Sequence, residues 1–145
     1  MGMSKRAESA TILVVDDEPI ALEFCRSTLV RAGYNVLTAS SGEQALNHFK
    51  SYRSPIDLAL IDVVMPDLTG PDLAERILAI RPHLKVLFMS GCTESDVVRV
   101  KILDRALGFL PKPFTSDSLL ERVQKVLNPP TRSASAGANY LSTWR

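Results

Sequence analysis

LALIDV, residues 58–63, is apolar at every place but one. A strand with one wet face alternates polar and apolar residues. A near-continuous apolar run is how a strand buried on both faces reads. The exception is Asp62, and a carboxylate without a partner in such a run is costly. TILVV (11–15) and KVLFMS (85–90) read in the same way. NVLTA (35–39) and LGFLP (107–111) complete a set of five short runs. Helix-like segments lie between them. Residues 19–31 open on a proline and close near Gly33. Residues 42–50 place Ala45, Leu46 and Phe49 on one face, and residues 71–80 place Leu73, Ile77, Leu78 and Ile80 inward. Residues 96–103 form a shorter candidate. Residues 118–127, after Asp117, carry Leu119, Leu120, Val123 and Leu127 at helical spacing. Strand and helix therefore alternate. With short connections and right-handed crossovers, the expected fold is α/β: a doubly wound, five-stranded parallel sheet with helices on both faces.

The chain has 145 residues, a formal charge of +1 and 46% hydrophobic residues. That suits one domain with a real core, over residues 11–128, and excludes a disordered chain. Residues 1–10 and the Pro-, Ser- and Ala-rich residues 129–145 are expected to be flexible ends. No apolar run has membrane-spanning length, and MGMSKRAESA lacks both a signal-peptide core and a myristoylation pattern. Cys25 and Cys92 do not make a disulfide framework or a zinc site, so a reducing cytoplasm is the expected compartment. Balanced charge argues against direct nucleic-acid binding.

Ligands of open α/β sheets bind at the carboxyl ends of the strands. The first run ends in Asp16, Asp17 and Glu18, the third near Asp62 and the fourth in Ser90. The fifth ends inside FLPKPF (109–114), where two prolines bracket Lys112. Proline cannot donate to a sheet ladder, so the strand is expected to stop at Leu110. Crowded carboxylates repel unless a cation joins them, and oxygen ligands suit a hard cation such as Mg²⁺, which keeps waters and phosphate oxygens. Lysine pairs with carboxylate or phosphate, and serine donates to a phosphoryl oxygen. An aspartate can itself be the nucleophile, forming an aspartyl phosphate. The edge therefore suits a phosphoryl group and its Mg²⁺.

VVDDE (14–18), LIDVVMPDLTG (60–70), LFMSG (87–91) and FLPKPF (109–114), in that order, resemble the receiver domain of two-component response regulators across residues 10–128. LFMSG and the segment after Lys112 are similar to receivers attached to hybrid histidine kinases. The resemblance implies a flavodoxin-like strand order 2-1-3-4-5. It implies that Asp62 takes a phosphoryl group from a histidine kinase or a histidine phosphotransfer protein. Mg²⁺ (or Mn²⁺) would be held by Asp16, Asp17, Asp62 and the backbone carbonyl of Val64. Ser90 would bond a phosphoryl oxygen and Lys112 would pair with Asp62, then with the phosphate. A cis peptide is implied at Lys112–Pro113. Ser90 and Phe109 would be the switch pair, remodelling the face made by the fourth helix, fifth strand and fifth helix for a downstream protein. The resemblance implies no enzyme beyond a phosphoacceptor that assists its own phosphorylation and dephosphorylation. It leaves open a monomer or a phosphorylation-dependent homodimer, and a stand-alone chain or a piece of a hybrid kinase. Val64 and Cys92, two residues after Asp62 and Ser90, cannot readily orient an attacking water, so slow loss of phosphate is expected.

Two other functions compete. A Mg²⁺ phosphatase of the haloacid-dehalogenase type also uses an aspartate nucleophile, but needs an Asp-x-Asp motif after its first strand and a cap region. DDEP (16–19) lacks that motif. A phosphorylation-independent interaction module would have no use for the acidic set, Ser90 and Lys112. A nucleotide-binding Rossmann site is disfavoured, because VVDDEPIAL (14–22) has no glycine-rich turn.

Overall fold

The structure, a computed structural model, describes residues 10–51, 55–91 and 108–128. The elements run β1 (Thr11–Val15), α1 (Pro19–Arg31), β2 (Asn35–Ala39), α2 (Gly42–Ser51), β3 (Leu58–Asp62), α3 (Gly70–Ile80), β4 (Lys85–Ser90), β5 (Gly108–Pro111) and α4 (Ser116–Leu127). The expected helix at 96–103, Cys92 and both flexible ends, apart from Ala10, lie outside the described residues.

All five strands are parallel, in the order β2-β1-β3-β4-β5 expected above. The three near-continuous apolar runs form the middle of the sheet, and β1 and β3 are buried along their whole length. Alternate side chains feed two separate cores. Leu13, Val15, Ala59, Ile61, Val86 and Phe88 pack with Ala45 and Phe49 of α2 and Leu73 and Ile77 of α3. Ile12, Val14, Leu58, Leu60, Leu87 and Met89 pack with Cys25 and Leu29 of α1 and Leu119 and Val123 of α4. Each fully buried Leu, Ile or Phe adds about 1.5–3 kcal/mol, so these rows fix the register of the strands.

Local signals set most helix ends. α1 starts at Pro19 and ends into Gly33, whose φ of 100° is a left-handed conformation that glycine adopts without strain. Three expectations need correction. Pro111 belongs to β5, opposite Ser90. β5 is an edge strand, where a missing donor costs little, and the Lys112 N–H resumes the ladder to the Ser90 carbonyl at 2.8 Å. α4 begins at Ser116, two residues early, because Thr115 and Ser118 cap it reciprocally. Ile80 faces solvent instead of the core, being the last residue of α3.

Candidate functional site

β1 and β3 are neighbours, so their carboxyl ends bring Asp16 and Asp62 together. Both side chains are buried, as is Ser90 at the end of β4. Asp17, more accessible, follows Asp16. One carboxylate oxygen from each of Asp16, Asp17 and Asp62 lies within 4.8 Å of the other two. Two buried carboxylates and an accessible third, all oxygen donors, fit a hard divalent cation with water in its remaining places.

Lys112 closes the cluster. Its ammonium donates to Asp16 Oδ2 at 2.8 Å and stands 3.5 Å from Asp62 Oδ1 and 3.6 Å from Glu18 Oε1. Its nearest partner is thus Asp16, where the resemblance implied Asp62. The reason is local. Asp16 Oδ1 already accepts the Glu18 N–H at 3.0 Å, and Oδ2 of this fully buried carboxylate needs a donor. The lysine comes from β5 by a short route, since its own N–H is tied to Ser90 and the following Lys112–Pro113 bond is cis.

Burial pushes the Asp62 carboxyl up to about 6, and the negative charge of Asp16 adds to this against the pull of Lys112. Lys112 moves upward as well. Desolvation works against its charge, but the bond to Asp16 and the charges of Asp62, Asp16 and Glu18 outweigh it. Under the site sits Cys25, whose thiol is pushed up to about 12 by burial first and by Asp16 next. It is an inert core residue.

Asp16, Asp17, Asp62, Ser90 and Lys112 meet at one edge as expected. Val64 lies just past β3 and is 56% exposed. Phe109 packs against the α2–α3 core, and its carbonyl accepts from Arg122 Nη1 at 2.6 Å. From sequence, Gly70 reads as a loop residue that permits an unusual backbone, and the structure corrects this. Its backbone has no positive φ. A Cβ there would stand 2.4 Å from the Asp62 carbonyl oxygen and 2.9 Å from Val63 Cα, so the loop after β3 returns directly across the backbone of Asp62. Gly70→Ala is therefore expected to cost about 2–3 kcal/mol and to displace Asp62. Urea unfolding together with a Mg²⁺ titration checks both effects.

Residues 12–124 match the family model described as response regulator receiver domain, and the chain belongs to that family. It is 36% identical to the sensor kinase CckA of Brucella abortus, over 82% of this chain and 13% of that protein. It is 32% identical to the chemotaxis protein CheY of Bacillus subtilis, over 81% of this chain and 97% of that one. The chain thus spans a small part of some relatives and nearly the whole of others. The crystal structure of the response regulator TrrA from Thermotoga maritima in complex with Mg(2+)-BeF superposes with a TM-score of 0.70 at 33% identity, covering 81% and 99% of the two chains.

Proposed function

We propose that this chain is a phosphorylation-controlled switch in a two-component or phosphorelay pathway, with Asp62 as phosphoacceptor. The observation that carries the proposal is the placement of Lys112 across Asp16 and Asp62, at the edge where three carboxylates converge. An Asp62 oxygen attacks the phosphorus of a phosphohistidine. The new O–P bond forms as the N–P bond breaks and the imidazole leaves. The donor is a histidine kinase or a histidine phosphotransfer protein. Asp16, Asp17, Asp62 and the Val64 carbonyl would hold a Mg²⁺ ion, which would neutralise charge on the phosphoryl oxygens. The ammonium of Lys112 offsets charge on the same group, and the Ser90 hydroxyl donates to one of its oxygens.

Recruiting Ser90 changes the end of β4, to which β5 is paired. Phe109 lies on β5 opposite Phe88, and the switch passes there by packing, because a phenylalanine has no hydroxyl. The downstream protein docks on the side of the sheet that carries β5 and α4. The donor approaches past Ile20, Phe24, Pro113 and Phe114, which line an open hollow of about 730 Å³ beside Lys112. No helix among the described residues is long and apolar enough to cross a membrane, and we place the domain in the cytoplasm.

Incubation with acetyl phosphate, with and without Mg²⁺, followed by intact-mass measurement, tests the proposal. One added phosphoryl group, dependent on Mg²⁺, is expected. No adduct from acetyl phosphate or from a phosphohistidine protein would overturn it. Release of many equivalents of phosphate from added esters would support the phosphatase instead.

A further inference from the structure

The loop between β3 and α3 carries Val64 and crosses open surface, yet it is pinned at both ends. At its far end, the Gly70 N–H donates to the Val63 carbonyl at 2.8 Å, against the backbone of Asp62. Nearer its middle, Asp67 reaches a different element. Its Oδ1 accepts the Gly42 N–H at 3.3 Å and its Oδ2 accepts the Glu43 N–H at 3.4 Å. These are among the first amides of α2, which have no partner within the helix. α2 already has a cap of its own, because Ser41 Oγ accepts the Gln44 N–H at 3.1 Å. Asp67 therefore adds a tie between two elements to a helix end that is already capped. Gly42 makes the approach feasible: a Cβ there would meet Leu68 at 3.0 Å.

We propose that Asp67 is a positioning residue for the metal-binding edge, tying the loop that carries the Val64 carbonyl to the amino end of α2. The proposal rests on the receiver reading above. Asp67 itself is exposed and lies in the loop, outside the carboxylate trio. Its action is on the place and mobility of the Val64 carbonyl, so its loss weakens Mg²⁺ binding while leaving Asp62, Ser90 and Lys112 intact.

Calorimetric Mg²⁺ titrations of the wild type, Asp67→Ala and Asp67→Asn test this, alongside melting curves and hydrogen exchange of residues 63–69. Loss of a group that orients a metal ligand weakens affinity by about tenfold or more, and Asp67→Ala is expected to show that loss. Asparagine keeps one acceptor oxygen, so Asp67→Asn falls between. Residues 63–69 exchange faster in the alanine variant, and its labelling rate by acetyl phosphate recovers at saturating Mg²⁺. Unchanged Mg²⁺ affinity with a lower melting temperature would overturn the proposal and leave Asp67 as a helix cap only. A wild type that binds Mg²⁺ and takes up phosphate while all three proteins titrate alike would also overturn it, with the receiver reading intact. A wild type that does neither would bring down the receiver reading itself.

Discussion

Asp62→Asn is expected to abolish phosphoryl uptake from acetyl phosphate and, in metal-free buffer at neutral pH, to make the protein more stable. Amide nitrogen and oxygen cannot replace the carboxylate as nucleophile, so labelling falls to background in an intact-mass assay. The stability gain follows from burial. The folded protein holds the Asp62 carboxyl at about 6, above its ordinary 3.8, so ionised Asp62 opposes folding. The stability of its neutral form is full below about 3.8 and is lost as pH rises through about 6. That interval corresponds to at most about 3 kcal/mol, and about 1–3 kcal/mol is expected once relaxation is allowed. Asparagine is neutral throughout. Its advantage over the wild type is therefore complete above about 6, shrinks on acidification and vanishes below about 3.8. Melting curves of both proteins across that range, with chelator present, check the sign. A less stable Asp62→Asn at neutral pH would show that the carboxylate is satisfied where it stands. Saturating Mg²⁺ should reverse the order, because the wild type gains more from the ion by mass action.

Lys112→Ala should be the most destabilising change at the site. It leaves Asp16, fully buried and 2.8 Å from the ammonium, without its cation, and removes the only lysine charge bridging Asp16 and Asp62 among the described residues. Breaking a buried ion pair from one side costs about 3–5 kcal/mol. The lysine side chain keeps 17% exposure, which lowers the expectation to about 2–4 kcal/mol. The folded state raises the pKa of Lys112, so its contribution is whole below 10.5 and is lost only at higher pH. Urea unfolding at neutral pH measures the loss. Labelling by acetyl phosphate should slow about a hundredfold, as when one preorganised donor is removed from a transition state. Mg²⁺ should stabilise the variant more than the wild type, since it supplies the missing positive charge. An equal effect of Mg²⁺ on both would show that ion and ammonium serve separate carboxylates.

The buried strands were legible because TILVV, LALID and KVLFMS are near-continuous apolar runs, too short for a helix and separated by helical patterns, as strands covered on both faces are. The chain order of the site residues was legible for the same reason, each standing where an apolar run stops. Three-dimensional choices were not. Lys112 and Asp16 are 96 residues apart, and no local signal says that the ammonium favours Asp16 over Asp62. The proline that was expected to end β5 at Leu110 lies within it, because an edge position tolerates a missing donor. Gly70 stood in the sequence as the end of LIDVVMPDLTG, and its cause is a backbone passing 2.4 Å from where its Cβ would be, which only the folded loop reveals. Asp67 gave no sign at all. Its partners lie 24 and 25 residues earlier, at the start of a helix that looks complete without it.

The alternation of the central strands between two cores has a consequence for quality control. Asp62 takes the next place in the row of Leu58 and Leu60, beside Met89, and all three of those side chains belong to the α1–α4 core. A slip of β3 by one residue would carry Ile61 to the reactive edge and put the carboxylate at the place of Val63, whose side chain belongs to the opposite core. Every apolar residue of the strand would change sides with it. The oily interior thus guards the carboxylate edge: a misregistered strand forfeits its contacts in both cores, so a well-folded molecule with the edge out of place does not persist.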